Sequence, residues 1–342
     1  MSKIASLIAA LLLSTGLHAT DNKFVFKAGH PSLKEFALGA VPHPADNQPN
    51  QERVALGATL FFDPRLSGDG NMSCATCHNP GLGWSDGLPT ARGVNSMVLG
   101  RATPTIFNTG YNSIQMWDGR KKSLEHQAIS PMLSKEEMNM DMGKLYQFLE
   151  NNQGYRQKFE KAYPGEGIND TTVSKALAVF QRTVVSKNAP FDRWVAGDAK
   201  ALSSQQIEGF KVFVGKANCI ACHSEGNFTD NGFHNLGLKA FAKESPDLGR
   251  YHIRPVNAMK GAFKTPTVRE VTRTPPYFHD GSAQTLMDVV EHYDRGGDVT
   301  TNLSPNMKPL NLTQAEKLAL VAFMESLSSP YQAFPVPELP AQ

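Results

Sequence analysis

The sequence predicts a mainly α chain folded as two tandem domains with long loops, and three features point that way. At 342 residues it is long enough for two domains of ordinary size. Its four cysteines fall in two Cys-x-x-Cys-His motifs, Cys74-Ala75-Thr76-Cys77-His78 and Cys219-Ile220-Ala221-Cys222-His223. Each motif lies between an amphipathic stretch and a short segment holding an aromatic residue, an Asp and a Gly, which reads as a weak internal repeat.

Taken in order, the chain begins with a cationic start at Lys3, an apolar run from Ile4 to Leu13, a Ser-Thr-Gly turn and Leu17-His18-Ala19. This is the pattern of a signal peptide over residues 1–19, removed on export to the periplasm. The apolar run is too short to span a bilayer, so the mature chain is expected to start near Thr20 with no membrane span; a retained anchor is the alternative. Glu52 to Phe62 and Gln205 to Val214 place apolar residues at helical spacing before the two motifs. Trp84-Ser85-Asp86-Gly87 follows the first motif and Phe228-Thr229-Asp230-Asn231-Gly232 the second. Asp141–Tyr163 and Thr171–Val185 also read as helices. Ser186–Ser204, with Pro190 and Gly197, reads as a linker, which divides the mature chain into domains 20–190 and 191–342. Thr313-Gln314-Ala315-Glu316 is a capping box opening a helix through Leu327. Pro330, Pro335, Pro337 and Pro340 then make an extended tail.

With 34 basic and 32 acidic residues, a net charge of +2 gives no pull toward nucleic acid or anionic lipid. The cysteines say more. An exported chain invites disulfides, but a histidine directly after each pair is the signature of haem c attachment. Two thiols add across the vinyl groups of the haem, and the adjacent histidine reaches the iron as proximal ligand. With ten histidines in the chain, chance would put one after both pairs about once in a thousand sequences; redox or zinc Cys-x-x-Cys pairs are the alternative. Two covalently bound haem c groups are therefore the expected cofactors. Their burial would fill much of two cytochrome c-like domains.

Several blocks then carry a resemblance. Phe62-Asp63-Pro64-Arg65-Leu66-Ser67, Asp86-Gly87-Leu88-Pro89-Thr90, Trp117-Asp118-Gly119-Arg120, Ser186-Lys187-Asn188-Ala189-Pro190-Phe191-Asp192 and Pro276-Tyr277-Phe278-His279-Asp280-Gly281 occur in this order. Over nearly the whole mature chain the sequence resembles the bacterial dihaem cytochrome c peroxidases and their MauG-type relatives, which mature a tryptophan-derived cofactor in a partner protein. The resemblance implies a tryptophan between the haems at Trp117, a distal-pocket glutamine at Gln127, a proline lining that pocket at Pro131 and a catalytic glutamate at Glu137. Those types suit the chemistry. Heterolysis of H2O2 needs a group that takes a proton from one oxygen and returns it to the leaving one, which a carboxylate in a partly apolar pocket can do. An amide can orient the peroxide. The bland alternatives are a solvated Glu137 beside Glu136 and a core aromatic at Trp117.

Two departures from the family pattern matter. Members that need reductive activation place a histidine seven residues after Gly87, where it blocks the first iron; here that residue is Val94, which cannot ligate. The peroxidases also supply a methionine fourteen residues after the histidine corresponding to His279; here that position is Tyr293, as in MauG-type enzymes. A thioether raises haem potential, whereas a phenolate should lower it. His292 is adjacent but should point about 100° away on a helix; Met287 and Met307 are weaker candidates, more in keeping with packing. Together the departures predict a first haem open in the diferric state, with two oxidising equivalents shared across both irons and coupled by Trp117. Thr274 and Pro276 match backbone ligands of an interdomain calcium ion in the family, but the family's side-chain ligand, an asparagine, is Ala102 here.

The expected activity is that of a periplasmic dihaem oxidoreductase using H2O2. Its electrons would come from a small cytochrome c or copper protein or, as the MauG resemblance implies, from a tryptophan or tyrosine of a protein substrate. A non-enzymatic dihaem electron carrier is the alternative from another class; it would have no need of Gln127 and Glu137.

Overall fold

The computed structural model describes residues 23–341, so the signal peptide expected over residues 1–19 lies outside the described residues. The regular structure among them is almost entirely helical. In order it comprises α1 (Gln51–Phe62), α2 (Cys74–Cys77), α3 (Leu124–Ala128), α4 (Ser130–Leu133), α5 (Met142–Asn151), α6 (Gln153–Ala162) and α7 (Asp170–Gln181). After these come α8 (Pro190–Val195), α9 (Ser204–Val214), α10 (Leu286–Asp294) and α11 (Gln314–Glu325), with one antiparallel ladder pairing β1 (Phe233–His234) with β2 (Phe263–Lys264). No helix of the described residues is long and apolar enough to cross a membrane.

Two hydrophobic cores are each built on one helix pair. In the first, α1 packs on α7 through Gly57, where a methyl group would sit 2.0 Å from the Ala176 carbonyl oxygen and 2.7 Å from Phe180 Cβ. In the second, α9 packs on α11 through Gly209, where the same methyl would lie 1.8 Å from the Ala319 oxygen and 2.8 Å from Phe323 Cβ. Only glycine lets backbones approach this closely. Phe61, Tyr155, Phe159 and Phe180 fill the first core; Phe191, Trp194, Phe210, Phe213 and Phe323 fill the second.

Three local expectations are corrected. Asp141–Tyr163 is two helices rather than one, because the Asn152 N–H closes α5 on the Phe148 carbonyl while its side chain caps α6 by accepting from the Tyr155 N–H. The helix expected through Val185 ends at Gln181, with Val184 N–H already in a turn on the Gln181 carbonyl. Ser186–Ser204 is not a linker, since it contains α8, whose Phe191 and Trp194 are fully buried. Packing also crosses the expected 20–190 and 191–342 division at both ends. Phe24, Leu33 and Phe36 join the second core, Phe36 meeting Phe210 edge-on at 5.1 Å. The proline-rich tail returns to the first core, where Phe334 stacks on Phe62 at 5.4 Å and Asn152 donates to the Ala341 carbonyl at 2.6 Å.

The loops show that the repeat is deeper than the motifs suggest. Thr103-Pro104-Thr105 and Thr265-Pro266-Thr267 are equivalent, as are Met116-Trp117-Asp118-Gly119 and Phe278-His279-Asp280-Gly281, and Thr and Trp or His stand fourteen residues apart in both. Met116 and Phe278 both have positive φ (73° and 70°), as do Gly119 and Gly281 (66° and 64°). The two units exchange hydrogen bonds reciprocally: Ala102 N–H donates to the His279 carbonyl, and Lys264 N–H to the Trp117 carbonyl, each at 2.7 Å.

Candidate dihaem active site

Both motifs present their histidine in the same way. In the first, the His78 Nδ1–H donates to the Trp84 carbonyl at 3.1 Å; in the second, the His223 Nδ1–H donates to the Phe228 carbonyl at 3.1 Å. The carbonyls are in reach because Trp84 and Phe228 both adopt left-handed backbone (φ 59° and 52°). Burial holds both imidazoles below their ordinary pKa, against the opposing pull of those carbonyls. Each ring is thus neutral, with Nδ1 protonated and Nε2 free to bind a metal. Ser85 and Thr229 fix the turns by donating to the Thr103 and Thr265 carbonyls at 2.9 and 2.7 Å.

Around the second motif lies a largely apolar cavity whose walls include Cys219, Cys222, His223, Trp117, Met307 and Tyr293. Tyr293, in α10, faces this cavity. Burial raises its phenol pKa, and negative charge on Cys219 and Cys222 would push it the same way. His292 turns elsewhere. Its Nε2–H donates to the Leu236 carbonyl at 2.8 Å, its Nδ1 lies 3.3 Å from Asp298, and it is 2% exposed. Met287 is not among the cavity's lining residues.

In the first unit, α3 carries Gln127 and α4 carries Pro131, both half-buried. Glu137 follows in a turn whose Met138 N–H donates to the Pro131 carbonyl at 3.1 Å. Burial raises the Glu137 carboxyl pKa against the opposing charge of Arg120 and a hydrogen bond from Ser134, and Glu137 is close enough to Cys74 and Cys77 to raise their thiol pKa values. Val94 is 5% exposed, and its N–H donates to the Glu137 carbonyl at 2.8 Å. At Gly93 a methyl would sit 1.7 Å from the Glu136 oxygen, so this loop docks flush against the glutamate turn. Arg120 connects Glu137 to the Trp117 loop by donating to Asp118 at 2.8 Å.

Trp117 stands between the units. Its indole N–H donates to the Ala102 carbonyl at 2.9 Å, and its ring meets His279 edge-on at 6.3 Å. Arg101 clamps the same loop across the interface, pairing with Asp118 at 2.7 Å and Asp247 at 2.6 Å.

The comparisons agree with this arrangement. Residues 51–200 match the family described as di-haem cytochrome c peroxidase. Methylamine utilization protein MauG of Methylorubrum extorquens is 47% identical over 88% of this chain and 85% of its own length. The chain belongs to the dihaem cytochrome c peroxidase family. Within it, Cytochrome-c peroxidase IdrP1 of Denitromonas iodatirespirans is 36% identical over 95% of this chain and 92% of its own. The crystal structure of a MauG-like protein associated with microbial copper homeostasis superposes with a TM-score of 0.80 at 28% identity, covering 85% of this chain and 93% of that one.

A member of the dihaem cytochrome c peroxidase family is an oxidoreductase acting with peroxide, and its cofactors are haem c. The donor set here fits them, with paired thiols, a neutral histidine whose Nε2 is available, and apolar walls. Sequence reasoning missed the Thr-Pro-Thr segments that brace both histidine turns, and the repeat register linking Trp117 to His279. In that register Gln127 corresponds to Val289, and Pro131 to Tyr293. The expected calcium site at Thr274 and Pro276 would use backbone carbonyls. Among the described residues, the one group of three His, Cys, Asp or Glu side chains close enough to share a cation is Cys222, Asp230 and His234. The Thr274 hydroxyl donates to the Val271 carbonyl at 3.2 Å, and Ala102 has no side-chain donor atom.

Proposed function

We propose that this chain is a MauG-type member of its family, exported to the periplasm, that reacts with H2O2 as folded and draws the electrons from an aromatic side chain of a partner protein. The observation that carries the reading is the contrast at one repeat position. Tyr293 faces the second cavity while His292 is tied into other bonds, and the equivalent residue on the first side is Pro131, which has no side-chain atom to offer a metal. Val94 supplies none either.

Bound haem supplies one iron that reduces peroxide and a second that passes electrons. The rest is work for the protein. Glu137 takes a proton from the incoming peroxide oxygen and returns it to the leaving one, and its raised pKa suits it to hold that proton. Gln127 orients the peroxide by hydrogen bonding. Trp117, fixed at both its indole N–H and its carbonyl, couples the two sites. Tyr293, which lines the same cavity as His223, would hold the second haem from its other side and favour its oxidised form. A protein substrate is favoured over a donor cytochrome by the same tyrosine and by the higher identity to a MauG than to a named cytochrome c peroxidase.

Removal of peroxide with a small cytochrome c or copper protein as donor is the second reading, since most sequence blocks serve both. Calcium at Thr274 and Pro276 has no part in the proposal. The test is to mix diferric protein, never reduced, with stoichiometric H2O2 and follow its spectrum alone and with candidate donors. Immediate reaction and long persistence without a donor are expected. A requirement for prior reduction overturns the open-site reading, and rapid discharge by a donor cytochrome favours the second one.

A further inference from the structure

One buried charge has no part in the chemistry above. Lys264, in β2, is 8% exposed and lines the second cavity. Its backbone N–H donates to the Trp117 carbonyl at 2.7 Å, and its neighbour Phe263 stacks on His279 at 3.5 Å, so the side chain stems from the junction of the two units. Its ammonium makes one hydrogen bond, at 3.1 Å, to the carbonyl of Thr265, and among the described residues it has no carboxylate hydrogen-bond partner, Asp230 acting on it only through its charge.

The acids nearby are already engaged. Among the described residues, Asp247 is the only carboxylate lining the cavity, and both its oxygens are bonded to Arg101, at 2.6 and 3.0 Å. Asp230, the acid whose charge reaches Lys264, accepts from the Gly232 N–H at 2.7 Å and lies 3.3 Å from His234 Nε2. Burial pulls the Lys264 ammonium down to about 8, which leaves it mostly charged at neutral pH. An ammonium withdrawn from water and left unpaired is costly, and a cavity that keeps one is arranged for an anion. The group that Cys219, Cys222 and His223 hold carries two carboxylates of its own.

We propose that Lys264 is a binding residue for the second haem, its ammonium pairing with a propionate carboxylate beside Trp117. The pairing makes a cation a fixed part of the second site. A positive charge next to a haem favours the reduced form, so Lys264 raises the potential that Tyr293 lowers. The repeat gives the first haem no such partner, because the residue equivalent to Lys264 is Ala102. The two haems thus differ in charge environment as well as in the sixth position.

The inference rests on attachment of the second haem and not on the identity of its sixth ligand. The experiment is a spectroelectrochemical titration of both haems in loaded wild type, Lys264→Met and Lys264→Arg, with the mass of each protein counting its attached haems. Lys264→Met should lower the second haem's potential and leave the first unchanged, and Lys264→Arg should restore most of the loss. If two haems are attached and Lys264→Met leaves the second potential unchanged, or shifts both haems equally, the proposal is overturned. A missing second haem in the wild type would instead overturn the site reading itself. If Lys264→Met fails to mature, a crystal structure of the loaded wild type decides: Nζ within about 4 Å of a propionate oxygen supports the pairing, and a longer separation overturns it.

Discussion

In the proposed reaction Glu137 accepts and returns a proton at one carboxyl, and its setting suits both steps. It sits in a turn held by Pro131 and Val94, and burial raises its pKa above the ordinary 4.5 despite Arg120. Replacing it by glutamine keeps the shape and removes the proton. Glu137→Gln should slow the reaction with peroxide by about 10²- to 10⁴-fold in stopped-flow mixing. The base must be ionised to act, so the wild-type rate should fall as pH drops through a value above 4.5, and that limb should vanish in the variant. An unchanged rate would remove Glu137 from the mechanism. Tyr293 is tested through potential. Tyr293→Met should raise the second haem's midpoint and shorten the survival of the oxidised protein, while peroxide still reacts at the first site. If Tyr293→Met and Tyr293→Phe both left that potential unmoved, the phenol would not be the ligand. At this scale the sequence was partly legible. Helical geometry separated Tyr293 from His292, but the main reason His292 is unavailable, its bond to the Leu236 carbonyl, joins segments far apart in the chain.

Elements were legible where the signal is local and hidden where it is not. The Thr313 capping box and the apolar spacing before each motif marked α11, α1 and α9 closely, because caps and periodicity belong to neighbouring residues. Asn152 was missed because one residue ends a helix and begins the next without interrupting the apolar period. The repeat was seen only around the motifs because twenty-five residues separate His78 from Thr103 and forty-two separate His223 from Thr265. The insertion conceals a register that holds again from Thr-Pro-Thr onward. Gly57 and Gly209 were equally silent, since a helical glycine announces close packing only once its partner helix is known. Their role is testable. Gly209→Val should place carbon where the Ala319 carbonyl lies, force α9 from α11 and cost about 3 kcal/mol or more. Thermal unfolding followed at the second haem should shift more than at the first; equal shifts would mean that the two cores do not melt separately.

The whole molecule depends on how its halves are joined, because the coupling proposed for Trp117 requires a junction that keeps its geometry. The chain ends cross over, residues 24–36 packing in the second core and the tail in the first. Ser186 and Ser329 both hydrogen-bond to Glu270, and Arg101 draws Asp118 of one unit and Asp247 of the other onto one guanidinium. Burial pushes both of these carboxyls up in pKa, but Arg101, joined by Arg120 at Asp118 and by the Gly249 N–H at Asp247, outweighs it and holds each below the ordinary 3.8. A lowered folded pKa adds stability that is complete above the unfolded value and lost as pH falls through the folded one, so the clamp is intact at neutral pH and releases only below about pH 4. Arg101→Leu removes it at every pH. Asp118, with a side chain 6% exposed, would keep Arg120 alone, and Asp247 would keep only the Gly249 N–H and His252 at 3.8 Å. Because Arg101 is itself 20% exposed, the loss should be about 2–3 kcal/mol, below that for a fully buried pair. The acid sensitivity below about pH 4 should shrink by the same amount. Function should suffer more than stability. With the Trp117 loop released, peroxide should still react at the first site while the second haem responds more slowly, a delay visible in stopped-flow traces that resolve the two haem bands. If both bands changed together at the wild-type rate, Arg101 would hold the halves without positioning Trp117.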